Sequence, residues 1–374
     1  MSGALVDLVA KGAQDVYLTG SPEVSFFRQQ YKRHTNFTSK PVKLNPMGTF
    51  GPNQEISLKI PNKGDLLDYV WLHMADNDNT SSNLMPSTSK PVIFELWIGG
   101  QMVDRQDATF MILHWQKFLV DSGAKAMAIA ATKQAGSDYY GRNTYERLEF
   151  IPLHFSFCDG QPLPLLALQY HEVEIKIKFS SSDPGKVDFY ANYIMLDTIE
   201  RDYFVNKEHE ILIEQVQRIP VTTRNGSNYM FDLSLLNHPV KSIHWSNVSN
   251  THYTSSDVML YLNGTQLFDS PMPDIYFSSV QGYYHSEHAS ELLKLNSFGN
   301  STNDDYQGGK GLKMYSFAQK ASKHVPTGSC NFSRLDNAEM KFVGSSENDD
   351  TYLYAVNWNV LRIKNGMAGV AFSN

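Results

Sequence analysis

The feature that most constrains this chain is a repeat. The segment "FELWIGGQMVDR", Phe94 to Arg105, resembles "VMLYLNGTQLFDS", Val258 to Ser270. In each, a short apolar run meets Gly-Gly or Asn-Gly, dipeptides that accept the positive φ angles of a two-residue hairpin turn, and a second run follows. Gly100 and Gly264 stand 164 residues apart. The pair "PLPLLALQYHEVEIKIKF" and "PTGSCNFSRLDNAEMKFV" keeps nearly that spacing, 164 between Pro162 and Pro326 and 165 between Glu174 and Glu339. A looser pair, "NKGDLLDYVWL" and "NHPVKSIHW", is offset by 173 to 175. Three segments in one order at nearly one offset imply a duplicated domain.

The repeated material is β. Alternating or continuously apolar runs such as "EISLKI", "YVWLHM", "VIFELWI", "EVEIKIKF", "MLYLNG" and "YLYAVNWNVLRI" are each bounded by Gly, Pro, Asn or Asp. The 21 Phe, 20 Tyr and 5 Trp, with only 19% charged residues, fit a strand-rich globular chain. Helical spacing of Phe110, Leu113, Trp115, Phe118 and Leu119 predicts a helix over Ala108 to Leu119, and a second short one is expected in "SEHASELLKL", beginning near Ser286 or Glu287. Halves of roughly 165 to 180 residues with eight or so strands suit jelly rolls better than immunoglobulin domains. The expectation is therefore an all-β chain of two tandem eight-stranded jelly-roll sandwiches with short helical insertions. An N-terminal arm would cover 1–25, the first sandwich 26–205 and the second 206–374, dividing in the charged interval "ERDYFVNKEHE". In the last strand, Tyr354, Val356, Trp358 and Val360 are expected to face a core and Ala355, Asn357 and Asn359 the other side.

A formal net charge of −7 argues against wholesale nucleic-acid coating, which needs an excess of Lys and Arg. Cys158 and Cys330 are the only cysteines, so no disulfide framework is expected and both read as half-buried thiols. No apolar run reaches the length of a membrane-crossing helix, and no secretory signal pattern is present, so neither location is expected.

Twelve histidines invite a search for metal or catalytic sites. His285, Glu287 and His288, with His324 downstream, echo a facial metal triad, but the spacing is common by chance and a polar loop is the preferred reading. "HEVEI" at His171 places Ile175 where a zinc motif needs its second His. "GGKG" at Gly308 to Gly311 lacks the remainder of a phosphate loop, and no Gly-x-Ser-x-Gly elbow occurs. Catalytic residues, cofactors and metal ligands are accordingly expected to be none. Seven Asn-x-Ser/Thr sequons, at Asn36, Asn79, Asn225, Asn247, Asn263, Asn300 and Asn331, are what an Asn-, Ser- and Thr-rich β chain accumulates by chance.

Four long segments carry a family resemblance: "GAQDVYLTGSPEVSFFRQQYKRHTNF", "PLPLLALQYHEVEI", "PTGSCNFSRLDNAEM" and "YAVNWNVLRIKNGMAGVAFSN". In this order they resemble the major capsid proteins of nucleocytoplasmic large DNA viruses, those of algal viruses and iridoviruses above all. The resemblance implies a double jelly roll forming a homotrimer, with trimers as pseudo-hexagonal capsomers tiling an icosahedral shell. It also implies a structural role without enzymatic activity, a place in the virion capsid, and assembly in the host cytoplasm. The implied partners are neighbouring capsomers, minor capsid proteins and the internal viral membrane, with no direct nucleic acid. Phe26, Phe27, Tyr31, Lys32 and Arg33, at helical spacing in the arm, are the candidate assembly contacts. Protein is favoured over lipid there, because three basic residues fall short of a lipid-recognition cluster. Alternatives are a minor capsid paralogue of the same fold, a jelly-roll metal-dependent enzyme, or a glycan-binding sandwich.

Overall fold

A computed structural model describes residues 3–29, 31–74, 91–131, 133–137, 143–148, 150–180, 187–225, 228–246, 257–287, 312–343 and 352–372. Met1–Asn36 form one unit and Phe37–Asn374 another.

The second unit holds both sandwiches. The first is built from β1 (Phe37–Leu44), β2 (Glu55–Lys59), β3 (Leu66–Met74), β4 (Ile93–Ile98), β5 (Gln101–Asp107), β6 (Phe150–Pro152), β7 (Leu163–Pro164), β8 (Val173–Lys178) and β9 (Val187–Leu196). Its sheets run β1-β9-β3-β7, with β6 also on β3, and β2-β8-β4-β5. Helix Thr198–Asn206, started by the Asp197 side chain, leads to the second sandwich. That sandwich comprises β10 (His209–Pro220), β11 (Asn228–Asp232), β12 (Pro239–Ser246), β13 (Asp257–Leu262), β14 (Thr265–Gln266), β15 (Leu312–Ser316), β16 (Cys330–Asn331), β17 (Ala338–Val343) and β18 (Tyr352–Lys364). Its sheets run β10-β18-β12-β15, with β16 also on β12, and β11-β17-β13-β14. Each strand's counterpart therefore lies nine numbers on. With β6 and β7, like β15 and β16, as halves of one broken strand, each sandwich has the eight main strands of a jelly roll, plus a short edge strand, Met47–Gly48 on β2 and Thr223–Asn225 on β11.

The turns explain the register. Gly99 and Gly100 (φ 58° and 80°) join β4 to β5, and Asn263 and Gly264 (φ 49° and 75°) join β13 to β14, with Ile98 opposite Gln101 and Leu262 opposite Thr265. Two successive positive φ angles match the right-handed twist of the flanking strands. The offset of 164 recurs between β9 and β18, and that of 173 between β3 and β12. Tyr190 lies opposite Trp71 and Ala191 opposite Val70, while Tyr354 lies opposite His244 and Ala355 opposite Ile243.

The helix expected over Ala108 to Leu119 is helical throughout, but Phe110–Leu119 is wound as a π-helix. A second π-helix, Tyr276–Val280, running into helix Gln281–His285, occupies the same place after β14. Ser286 therefore closes a helix instead of opening one, and 288–295 of "SEHASELLKL" lie outside the described residues.

Ile56, Leu58, Phe94, Leu96, Ile175, Ile177 and Phe189 fill the first core, and Phe231, Trp245, Phe277, Leu260 and Phe342 the second. Fully burying side chains of this size contributes roughly 1.5–3 kcal/mol each. The first cluster continues across the boundary between sandwiches to Val216, Met314, Tyr354 and Val356. Sheet β10-β18-β12-β15 is thus a middle layer, with its own core on one face and the first sandwich on the other. This corrects the reading of the last strand. Leu353 and Ala355 face the core of the second sandwich, Tyr354 and Val356 face the first sandwich, and every residue from Leu353 to Asn359 is buried.

Candidate assembly surfaces

The seam between the sandwiches starts from β5. Asp107 Oδ1 accepts the Phe110 N–H at 2.9 Å and starts the π-helix, while Oδ2 accepts from Arg218 Nη1 and Tyr354 Oη, each at 3.0 Å. One carboxylate thus fixes a helix of the first sandwich against two strands of the second. Burial pushes this carboxyl above its ordinary range despite those donors. Three residues earlier, Asp104 Oδ1 accepts the Val216 N–H at 2.9 Å. Burial raises Asp104 to about 7, and the nearby Glu214 charge adds to that.

Further along, the Lys117 ammonium donates to the carbonyls of Ser278 and Leu312, both at 2.9 Å, and Phe118 O accepts from Ser286 Oγ at 2.7 Å. Burial lowers Lys117 to about 7. Phe110, His114 and Phe118 pack their rings on His244, and the first two also on Tyr354. Burial drops His114 to about 3 and His244 well below its ordinary value, so both rings are neutral at physiological pH. Strand β19 (Met367–Val370) folds back on β18 through Asn365 and Gly366, and its Ala368 N–H donates to His171 Nδ1 at 3.0 Å.

Glu214 ion-pairs with Lys241, and both side chains are buried. His324 Nδ1 stands 3.4 Å from the same carboxylate, and its Nε2 is 3.4 Å from Ser156 Oγ. The order Ser, His, acid is that of a hydrolase triad. Here, however, Lys241 takes the carboxylate, and Ser156 Oγ already accepts the Glu214 N–H at 3.1 Å. The cluster joins the two sandwiches. Burial pushes the Glu214 carboxyl up, but Lys241 and His324 outweigh it and hold the group below its ordinary range.

Among the described residues, His285, Glu287 and His324 are not gathered into a metal-binding group. His285 Nδ1 contacts Gln319 O, Glu287 pairs with Lys323 at 3.0 Å, and His324 belongs to the seam. His288 and "GGKG" lie outside the described residues, as do sequons Asn79, Asn247 and Asn300. Asn263 and Asn331 use their side-chain oxygens to accept backbone N–H groups, so both sequons carry local structure. Cys158 and Cys330 are free and half-buried.

The arm has helices at Gly3–Val9 and Val16–Thr19, neither burying a residue. The helical spacing read over Phe26 to Arg33 is not realised. Phe26 and Phe27 sit in a turn, and Tyr31, Lys32 and Arg33 lie in a stretch without regular secondary structure. So short a segment, with no face packed, does not offset the cost of starting a helix. Phe26 and Phe27 are 94% and 97% exposed, and Tyr31, Lys32 and Arg33 are exposed too. Sequence reasoning missed the seam residues Asp104, Asp107, Lys117, Glu214 and Lys241, whose short-range context reads as ordinary strand and helix surface.

The comparisons with known proteins agree with this architecture. Residues 25–197 match the family model described as "Major capsid protein N-terminus", and 254–369 match "Large eukaryotic DNA virus major capsid protein". The major capsid protein of Pyramimonas orientalis virus is 34% identical, with all of both chains covered. The chain belongs to the major capsid protein family of large eukaryotic DNA viruses. The capsid protein of Paramecium bursaria Chlorella virus 1 is 30% identical to it, again over the whole of both chains. Among solved structures, a quasi-atomic model of the PBCV-1 virus capsid shares the fold of this capsid protein at TM-score 0.72 and 23% identity, covering 94% of this chain and all of that one. The Faustovirus major capsid protein does so at 0.63 and 12%, covering 96% of each. The protein is a structural, double jelly-roll component of a virion capsid.

Proposed function

We propose that this capsid protein is the shell-forming subunit: three chains close into a homotrimer, and the trimers are pseudo-hexagonal capsomers that tile an icosahedral shell. The observation that carries this reading is the shared core. Because the seam fixes one jelly roll against the other, each chain offers two similar walls in a set relation, and a head-to-tail ring uses such walls without leaving one unpaired. Its role is assembly, with no catalytic step and no direct nucleic-acid contact. Assembly takes place in the host cytoplasm. The arm continues past residue 25 up to Asn36, and the jelly rolls cover 37–205 and 206–374.

The arm contacts neighbouring capsomers or minor capsid proteins through Phe26, Phe27, Tyr31, Lys32 and Arg33, with the internal membrane as a secondary partner. Its exposed aromatic residues support this, since apolar groups of that size gain most by burial against a partner. Sedimentation of the purified chain tests the ring: a trimer is expected, and a strictly monomeric native species refutes it. For the arm, Phe26→Asp with Phe27→Asp should leave the trimer intact and reduce its incorporation into particles. Undiminished incorporation overturns the arm's role.

A further inference from the structure

A second buried lysine–carboxylate pair lies in the second sandwich. Asp274 stands just ahead of the π-helix Tyr276–Val280, and Lys313 lies in β15 opposite Trp245 of β12. Residues opposite each other in a ladder share a face. Leu312 and Met314, on either side of Lys313, belong to the first cluster, so the Lys313 side chain enters the core that Trp245 and Phe277 fill. There Lys313 Nζ ends 2.5 Å from Asp274 Oδ1, with the two side chains 1% and 2% exposed.

The other buried carboxylates are satisfied. Glu214 accepts a hydrogen bond from Lys241, and Asp107 accepts three, from Phe110 N–H, Arg218 and Tyr354. Among the described residues, neither oxygen of Asp274 nor Lys313 Nζ has any hydrogen-bond partner. The amine stands closer than the roughly 2.7–2.9 Å of a charge-assisted hydrogen bond, yet without its angles. A buried ion pair holds its charges only when further hydrogen bonds satisfy the remaining oxygens and protons. Without them the ammonium proton passes to the carboxylate, leaving a neutral amine against a neutral carboxyl. That is a nucleophile held in contact with an acyl carbon, away from solvent. Lys117 completes the arrangement. Its ammonium donates to Leu312 O, next to Lys313, and to Ser278 O, in the helix that follows Asp274, and its charge interacts with both members of the pair.

We propose that Lys313 and Asp274 condense spontaneously into an isopeptide bond within the chain. The Lys313 nitrogen adds to Asp274 Cγ, and the nearby positive charge of Lys117 stabilises the carbonyl oxygen as it becomes negative. The bond from Cγ to the hydroxyl then breaks, the hydroxyl takes the proton that the nitrogen releases, and water leaves. One ammonium and one carboxylate thus become one amide and one water, with no oxidant or further reactant. The reaction happens once per chain, so it is a modification and not turnover. It removes two charges from the core and ties β15 to the start of a helix 39 positions earlier in the chain. It does not depend on the trimer reading.

The test is mass spectrometry of the full-length wild-type chain, natively purified and then denatured. The chain should be lighter than its sequence by one water, about 18 Da, and proteolysis should give a branched peptide that joins Asp274 to Lys313. Lys313→Arg should return the chain to its sequence mass. Lys117→Met should leave a larger fraction of chains unlinked, and an unchanged fraction overturns the part given to Lys117. A wild-type chain at its sequence mass, or one whose missing water maps elsewhere, overturns the bond itself, and that reading needs no variant to fold.

Discussion

Tyr354 and Tyr190 hold the same place in two copies of one sheet, and their neighbours assign them different work. Tyr354 donates to a buried carboxylate that also binds Arg218. Tyr354→Phe therefore removes a donor from Asp107 without changing volume, and a loss of about 1.5–3 kcal/mol is expected in urea denaturation. Asp104 gives a pH signature. Its carboxyl titrates at about 7 in the folded chain against 3.8 ordinarily, so between those values the folded chain holds a proton that the unfolded chain has released. Its contribution to stability falls as pH rises from about 4 to about 7 and is level above that. Asp104→Asn should flatten this part of the profile in melts recorded across that range. Lys117 has the opposite slope. At about 7 against 10.5 ordinarily, it makes stability rise with pH between those values, and Lys117→Met should remove the rise. None of this was legible in the sequence, because "PVKSIHW" and "HWQKFL" place their lysines where a solvated face would also place them. Burial across a seam between sandwiches leaves no trace in local spacing.

Among the elements, the hairpins were the most legible, because consecutive positive φ angles restrict the residues a turn accepts. Gly99 and Gly100 separate two effects of that restriction. A Cβ on Gly100 meets nothing within 4 Å, so Gly100→Ala should cost only the left-handed backbone penalty, roughly 1–2 kcal/mol. A Cβ on Gly99 lies 2.1 Å from His171 Nδ1, the atom that accepts the Ala368 N–H. Gly99→Ala should therefore cost more and loosen β19, seen as faster amide exchange at Ala368. Strand identity was also readable, but strand orientation was not. Alternation tells two faces apart when one is wet, and in β18 both are dry from Leu353 to Asn359, with Asn357 fully buried among them. The π-helix was read as an ordinary helix because its apolar positions satisfy either winding over so short a span. Its recurrence after β14 shows that the winding belongs to the repeat. The arm failed the other way: its helical spacing was real, but Phe26, Phe27 and Tyr31 stay exposed and bury no face that would hold a helix.

For the whole molecule, the shared core has a thermodynamic consequence. Residues of both sandwiches belong to one hydrophobic cluster, so calorimetry should show a single unfolding transition for Phe37–Asn374. Two resolved transitions would mean that the seam is weaker than its buried contacts indicate. A fragment limited to 206–374 would expose Val216, Met314, Tyr354 and Val356 on one sheet face, and such a fragment should aggregate. The repeat thus foretold two similar bodies without foretelling that neither is complete alone.

One polypeptide carries both walls of the internal seam. They meet at an effective concentration set by the connecting helix Thr198–Asn206, and dilution does not change it. A contact between separate chains depends instead on how much protein has accumulated. The chain can therefore complete its folding at the first copies synthesised, whereas growth of a lattice waits for supply. The duplication separates, in time, becoming a subunit from becoming a shell.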